Sequence, residues 1–303
     1  MRLASNLTVD DVAQALADEG YLADEGLATS IFLSLVLNRP LLLEGEAGVG
    51  KTEVARVLAA WLGGRFLRLQ CYEGIDISQA VYEWDYARQL LHLRAAEANQ
   101  GNGQGAVDEL GVYNERFLIR RPLLAAIDQQ DGPPPVLLID ELDRSDDEFE
   151  AFLLEFLADF AVTVPEIGTF SAKVPPVVII TSNRTRDVHD ALKRRCFYHW
   201  IEHPDFEREV AIISLRAPSV VPGLARQVAA AVESLRGVHL YKSPGVAESI
   251  DWAAALAALG CSEIIERVLN LTLGTVLKYP EDQALVRDTG LGKLVYAAQT
   301  RNA

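Results

Sequence analysis

Apolar residues along this chain fall into two regimes that change near residue 204. Up to that point, short continuous apolar runs alternate with stretches of helical period. Beyond it only the helical period survives. Pro40-Leu41-Leu42-Leu43, Val136-Leu137-Leu138-Ile139 and Val177-Val178-Ile179-Ile180 are continuous rather than alternating, which is the pattern of parallel strands buried on both faces. Arg65-Phe66-Leu67-Arg68-Leu69-Gln70-Cys71 alternates and predicts a further strand after the break at Gly63-Gly64. Helices are expected at 9–19 behind a Thr8 cap and at 25–37 behind an Asp24 cap, the latter with Leu27, Ile31, Leu35 and Val36 inward. Another covers 53–62, with Val54, Val57, Leu58, Trp61 and Leu62 on one face. Residues 73–98 read as mostly helical, 99–105 as a flexible surface loop, and 120–130 and 145–158 as helices. Residues 161–165 and 169–174 predict a hairpin across 166–168, and a short helix at 191–195 runs into a strand ending at Ile201. After Pro204, helices follow at 205–217, 223–236, 246–259, 262–277 and beyond 281. The expected fold class is α/β over 1–204, a parallel-sheet core with helices on both faces, followed by a smaller all-helical domain over 205–303.

Composition narrows the classes. At 303 residues and 50% hydrophobic, the chain can bury one large core and one smaller one. Its 43 acids against 28 bases leave a net charge of −15, which disfavours nucleic acid as the main substrate. Cys71, Cys196 and Cys261 are scattered and odd in number, the usage of buried free thiols in a reducing compartment. The first residues lack the apolar core of a signal peptide, and no apolar stretch approaches the ~20 residues of a transmembrane segment. A cytoplasmic location is expected.

The chemistry concentrates at strand ends. Gly45-Glu46-Ala47-Gly48-Val49-Gly50-Lys51-Thr52 follows an apolar run and precedes a helix. Strand, glycine-rich turn and helix make a phosphate cradle, because glycines let the backbone wrap an anion and the helix start points N–H groups at it. Lys51 would reach the β- and γ-phosphates of ATP, and the Thr52 hydroxyl would take Mg²⁺. The run 136–139 ends in Asp140-Glu141, so Asp140 can hold Mg²⁺ through its water shell and Glu141 can deprotonate an attacking water. Asn183, ending the run 177–183, can position that water or simply form a turn before Arg184. Lys193-Arg194-Arg195 is a solvated basic face or a tip that reaches a neighbour's phosphates.

Together these segments resemble the AAA+ ATPases and, within them, the MoxR family. The resemblance rests on residues 45–52 as Walker A, 136–144 as Walker B and Thr181-Ser182-Asn183 as sensor 1. The hairpin at 161–174 and the extra segment at 73–115 are similar to insertions of that clade. The stretches 68–74, 82–86, 191–196 and 242–248 are similar to the group associated with maturation of molybdenum–copper carbon monoxide dehydrogenase. The resemblance implies a P-loop AAA+ core with a helical lid and a homo-oligomeric, hexameric ring. It also implies a partner bearing a von Willebrand A domain and a client metalloenzyme. Arg195, or else Arg194, would be the arginine finger, with Arg195 favoured by its place just before the strand. Many members carry Ser-Pro-Arg at the sensor 2 position, whereas Ser243-Pro244 is followed here by Gly245, with Lys242 or Arg226 left as substitutes. The resemblance also suggests that Gln70 restrains Glu141, against a structural amide. Tyr82, Trp84 and Tyr86 either grip a client or pack the insert, and Phe170 is expected exposed at the hairpin tip. Work on nucleic acid and small-molecule phosphorylation stand as alternative functions.

Overall fold

The computed structural model describes residues 7–99, 111–128 and 131–301. Past Asn99, the loop expected at 99–105 lies outside these residues. In chain order the elements begin with α1 (Val9–Asp18), α2 (Glu25–Leu37), β1 (Leu41–Gly45), α3 (Lys51–Leu62) and β2 (Phe66–Gln70). They continue with α4 (Ile77–Val81), β3 (Tyr82–Trp84), α5 (Tyr86–Asn99), β4 (Leu118–Arg120), α6 (Pro122–Ile127) and β5 (Val136–Asp140). Next come α7 (Asp147–Asp159), β6 (Ala161–Val164), β7 (Gly168–Ser171), β8 (Val177–Ser182), α8 (Asp190–Arg195) and β9 (Phe197–Ile201). The helices α9 (Phe206–Arg216), α10 (Pro222–Arg236), α11 (Val246–Ala258), α12 (Glu266–Val276), α13 (Pro280–Thr289) and α14 (Leu291–Thr300) complete the chain.

The central sheet runs β2-β5-β8-β1-β9, and β2 with β5, β5 with β8 and β1 with β8 pair in parallel. Every residue of β1 and β5 is buried, as the continuous apolar runs predict for strands covered on both faces. This is the α/β class expected, with a parallel sheet, helices and an all-helical C-terminal stretch. Register carries chemistry here, since it pairs Gln70 with Asp140 and Glu44 with Ser182 at the strand ends.

Contacts divide the chain into two compact units. One takes the chain up to Val12, Ala28–Glu44 and Ala55–His199; the other takes Ala13–Leu27, Gly45–Val54 and the chain from Trp200 onward. The first has a core that includes the fully buried rings of Phe149 and Phe156 packed with Leu123, Leu137 and Ile139. Its helix α7 starts on Asp146, whose carboxylate accepts from Phe149 N, a cap worth ~1 kcal/mol. The second has a core around Trp252, which is fully buried and donates from Nε1 to Thr272 Oγ1. Its helices are also tied by Glu209, a fully buried carboxylate that accepts from both terminal nitrogens of Arg236 and from Ser249 Oγ.

One stretch departs from expectation. Residues 73–98 are mostly helical as expected, in α4 and α5, but Tyr82–Trp84 between them forms a strand paired antiparallel with Leu118–Arg120. Aromatic residues separated by one polar position suit a pleated surface with a partner. That partner comes from beyond the 99–105 segment, so periodicity alone could not reveal it.

Candidate functional site

The loop between β1 and α3 is built within the second unit. Gly48 has φ +83, a left-handed conformation open to glycine, and a Cβ there would stand 3.0 Å from a Glu248 carboxylate oxygen. Gly45 admits no side chain either, since a Cβ would fall 2.5 Å from the Ile201 carbonyl oxygen. Lys51 is 6% exposed, and its ammonium donates to the carbonyls of Gly45 and Glu46 at 2.7 and 2.6 Å. The loop therefore curls around a cation at the start of a helix of twelve residues. Thr52 follows in the first turn, with Val49 buried and Glu46 and Ala47 exposed on the loop. Glu46 stands 3.2 Å from His203 Nε2.

The start of α11 closes on this loop. Val246 N and Ala247 N donate to the Gly48 carbonyl at 3.0 and 3.3 Å. Gly245, at the position where a sensor 2 arginine was expected, caps the helix, and a Cβ there would meet the Ala47 carbonyl oxygen at 2.9 Å. Any side chain at this position would therefore crowd the loop. Arg226 is committed elsewhere, forked onto Glu207 at 3.2 Å and stacked on Phe206. Beside the loop, Tyr21, Leu22, Val49, Pro204, Ile212 and Val246 contribute to a mainly apolar cavity of about 190 Å³. Arg208 also lines it and donates to the Leu22 carbonyl and to Asp24. Burial pushes the Tyr21 hydroxyl well above its ordinary pKa, so this ring stays neutral.

The strand ends of β1, β5 and β8 form a second cluster, within the first unit. Asp140 is 2% exposed; one oxygen accepts from Thr181 Oγ1 and the other from Nε and Nη2 of Arg68. Glu141 has φ +55, costly for a non-glycine residue, and its N–H donates to Thr181 Oγ1 at 3.0 Å. Its carboxylate faces Arg144 at 3.1 Å. Gln70 does not engage Glu141 here; its side-chain oxygen accepts from Arg68. Asp143 is 3% exposed and anchors the loop after β8, accepting from Asn183 N, Thr185 N and Thr185 Oγ1. Asn183 is thereby fixed by its backbone. Glu44, 2% exposed, accepts from Ser182 Oγ and Tyr198 OH. Burial, then the Glu44 charge, raises the Tyr198 hydroxyl.

Sequence reasoning missed three members of this cluster: Arg68, Glu44 and Asp143. A lone arginine inside an alternating strand and an acid closing an apolar run were the only local signals. Of the basic triplet, Arg195 donates to the Leu154 carbonyl at 2.9 Å, whereas the Arg194 side chain is exposed and has no partner among the described residues. Arg39 holds the end of α8 by donating to both arginines' carbonyls.

The donor set offered for a divalent cation, a threonine hydroxyl and a carboxylate, is the hard-oxygen chemistry Mg²⁺ prefers. Among the described residues, no group of three or more His, Cys, Asp or Glu forms a metal site of its own.

The AAA domain (dynein-related subfamily) profile matches residues 40–196. No curated protein matches the sequence at a significant level. Among solved structures, a RuvB variant from Thermotoga maritima overlaps with TM-score 0.49 at 14% identity, covering 86% of this chain and 70% of its own. A protein of Cytophaga hutchinsonii described as a candidate ATPase overlaps at 0.47 and 14% identity, over 95% of this chain and 93% of its own. A second Thermotoga maritima RuvB variant overlaps at 0.48 and 15% identity, over 91% and 73%.

Proposed function

We propose, from the premise that this chain belongs to the AAA family of ATPases in its dynein-related subfamily, that it is a MoxR-type remodelling ATPase acting on a client metalloenzyme. Two observations, one in each unit, carry the hydrolytic part: a loop that curls around the Lys51 ammonium, and a buried aspartate followed by glutamate at the end of β5. In this reading residues 45–52 bind ATP, with Lys51 on its phosphates and Thr52 and Asp140 holding Mg²⁺, which would offset the charge of the phosphates. Glu141 takes the proton of the attacking water and Asn183 orients that water. The left-handed backbone at Glu141 supports this role, because strain of that kind persists at functional positions. Residues 205–303 serve as the lid.

The finger acting in trans is Arg194 or Arg195. Arg194 has the better claim on geometry, since the Arg195 guanidinium is spent on Leu154. A hexameric ring in the cytoplasm, a von Willebrand A partner and a CoxD-like role in maturing a molybdenum-containing carbon monoxide dehydrogenase complete the proposal. No helix among the described residues is long and apolar enough to cross a membrane, which agrees with that setting. The two small sheets β3-β4 and β6-β7, outside the central sheet, support remodelling over small-molecule phosphorylation, which needs neither. The net charge of −15 speaks against work on nucleic acid.

The test is reconstitution. An inactive, metal-incomplete dehydrogenase of this class is incubated with the protein, a von Willebrand A partner and ATP. Recovery of dehydrogenase activity that requires ATP and is lost with Glu141→Gln supports the reading. Recovery independent of ATP, or ATPase activity stimulated only by DNA, sinks it.

A further inference from the structure

The first unit contains a cavity of about 1000 Å³ that the nucleotide chemistry does not use. Two of its walls are strand edges. Arg121 N bonds Val81 O and Asp85 N bonds Phe117 O, with Glu83 opposite Ile119 in register. The alternation of an antiparallel ladder then turns the N–H and C=O of Tyr82 and Trp84 away from β4, toward the outer edge. In the other pair Ala172 N bonds Phe160 O and Val162 lies opposite Phe170, which turns the main chain of Ala161 and Thr163 outward. All four outward residues line the cavity, and among the described residues neither outer edge carries a further strand.

The floor and rim add chemistry. Trp84 is 5% exposed, stacks edge-on against Tyr82 and Tyr113, and its Nε1 has no hydrogen-bond partner among the described residues. Glu83, Glu155, Asp159 and Glu166 stand exposed around the opening, and the cation there, Arg121, is already paired with Glu83. The Tyr82 hydroxyl is raised by burial and then by the Glu166 charge, so that carboxylate bears directly on the cavity wall. An acidic rim repels phosphate, which argues against nucleic acid or anionic lipid. The chain's own charge of −15 argues against a second copy.

We propose that this groove receives an extended segment of a partner polypeptide with alternating basic and apolar residues, which adds as a strand along the outer edge of β3. The added backbone would bond Tyr82 and Trp84, its basic side chains would meet Asp159 and Glu166, and its apolar ones would cover the Trp84 floor. Unpaired edges of this kind are a template for another strand. The proposal does not depend on the client's identity or on hydrolysis.

The experiment uses the full chain and a short synthetic peptide alternating lysine and valine, with a glutamate–valine peptide as control, followed by calorimetry and tryptophan emission. The lysine–valine peptide should bind and the control should not. Asp159→Lys combined with Glu166→Lys should weaken binding by about tenfold or more, while ATP turnover stays within about twofold. N-methylation of alternate peptide amides should weaken it comparably, because a strand is bound through its backbone. The proposal is overturned if the lysine–valine peptide fails to bind or binds the double variant equally well. It is also overturned if N-methylation has no effect, or if the double substitution abolishes only self-association, which would make a second copy the occupant. Loss of ATP turnover in the double variant would overturn it as well, by showing that these residues serve catalysis.

Discussion

Glu141 and Gly245 show how single positions divide binding from turnover. Glu141→Gln keeps the size of the side chain and removes only the base. Nucleotide affinity should persist while turnover falls ~10²-fold or more, read by fluorescent-nucleotide titration beside phosphate release. Lys51→Ala should do the reverse and weaken binding itself, since it removes the cation the loop encloses. Gly245→Arg would introduce the sensor 2 side chain that the MoxR reading calls for. Here its Cβ would press on the Ala47 carbonyl at 2.9 Å, and overpacking of that kind costs ~1–3 kcal/mol. Weaker nucleotide binding is therefore expected rather than faster turnover, and faster turnover would show that the helix start readily moves. The cysteines give a further check. Burial pushes the thiols of Cys71 and Cys196 up to about 12, so near pH 8 they stay protonated and poorly nucleophilic, whereas Cys261 is only half-buried. A thiol reagent should titrate one group in the native protein and three after denaturation.

At the scale of elements, the loop after β8 is positioned by an anchor outside its own sequence. Asp143→Ala would leave Asn183 N and Thr185 N without their acceptor, a loss of ~1–3 kcal/mol. Turnover should fall more than nucleotide affinity, because the residue oriented is Asn183 and not the anion loop. A urea midpoint measured beside steady-state kinetics separates the two effects. The hairpin behaves differently from expectation. Its turn is Pro165-Glu166-Ile167, and Phe170 sits in β7 opposite Val162, partly buried against the main core. Phe170→Ala should thus lower stability by roughly 2 kcal/mol with little change in ATP turnover. Tyr82 and Trp84 likewise pack within their own insert, while Tyr86 is 65% exposed and remains available for contact.

For the whole molecule, the proposed ring makes a demand that no single chain can meet. If Arg194 acts on a neighbour's nucleotide, Arg194→Ala and Glu141→Gln proteins should each be inactive alone, yet recover part of their turnover when mixed. A mixed interface can restore one complete site. Arg195→Ala should mainly loosen α8, since its guanidinium holds the Leu154 carbonyl. Equal loss with no recovery from either arginine would confine the basic triplet to a solvated face.

What the sequence determined by itself was local: the buried strands, the glycine turn with Lys51 and Thr52, the acidic strand end at Asp140, and the helical run after Pro204. Each follows from periodicity or backbone freedom within about a dozen residues, where side-chain pattern and conformation are directly coupled. Tertiary structure decided the partners. Arg68 reaches Asp140 across 72 positions only because β2 pairs with β5 in one register. In the same way β1 beside β8 buries Glu44 against Ser182. Gly245 has a visible reason only once α11 closes on Gly48, and Tyr82–Trp84 became a strand only when residues 118–120 came alongside. Those contacts join segments far apart in the chain, and the energy that selects them resides in packing and burial, not in local propensity.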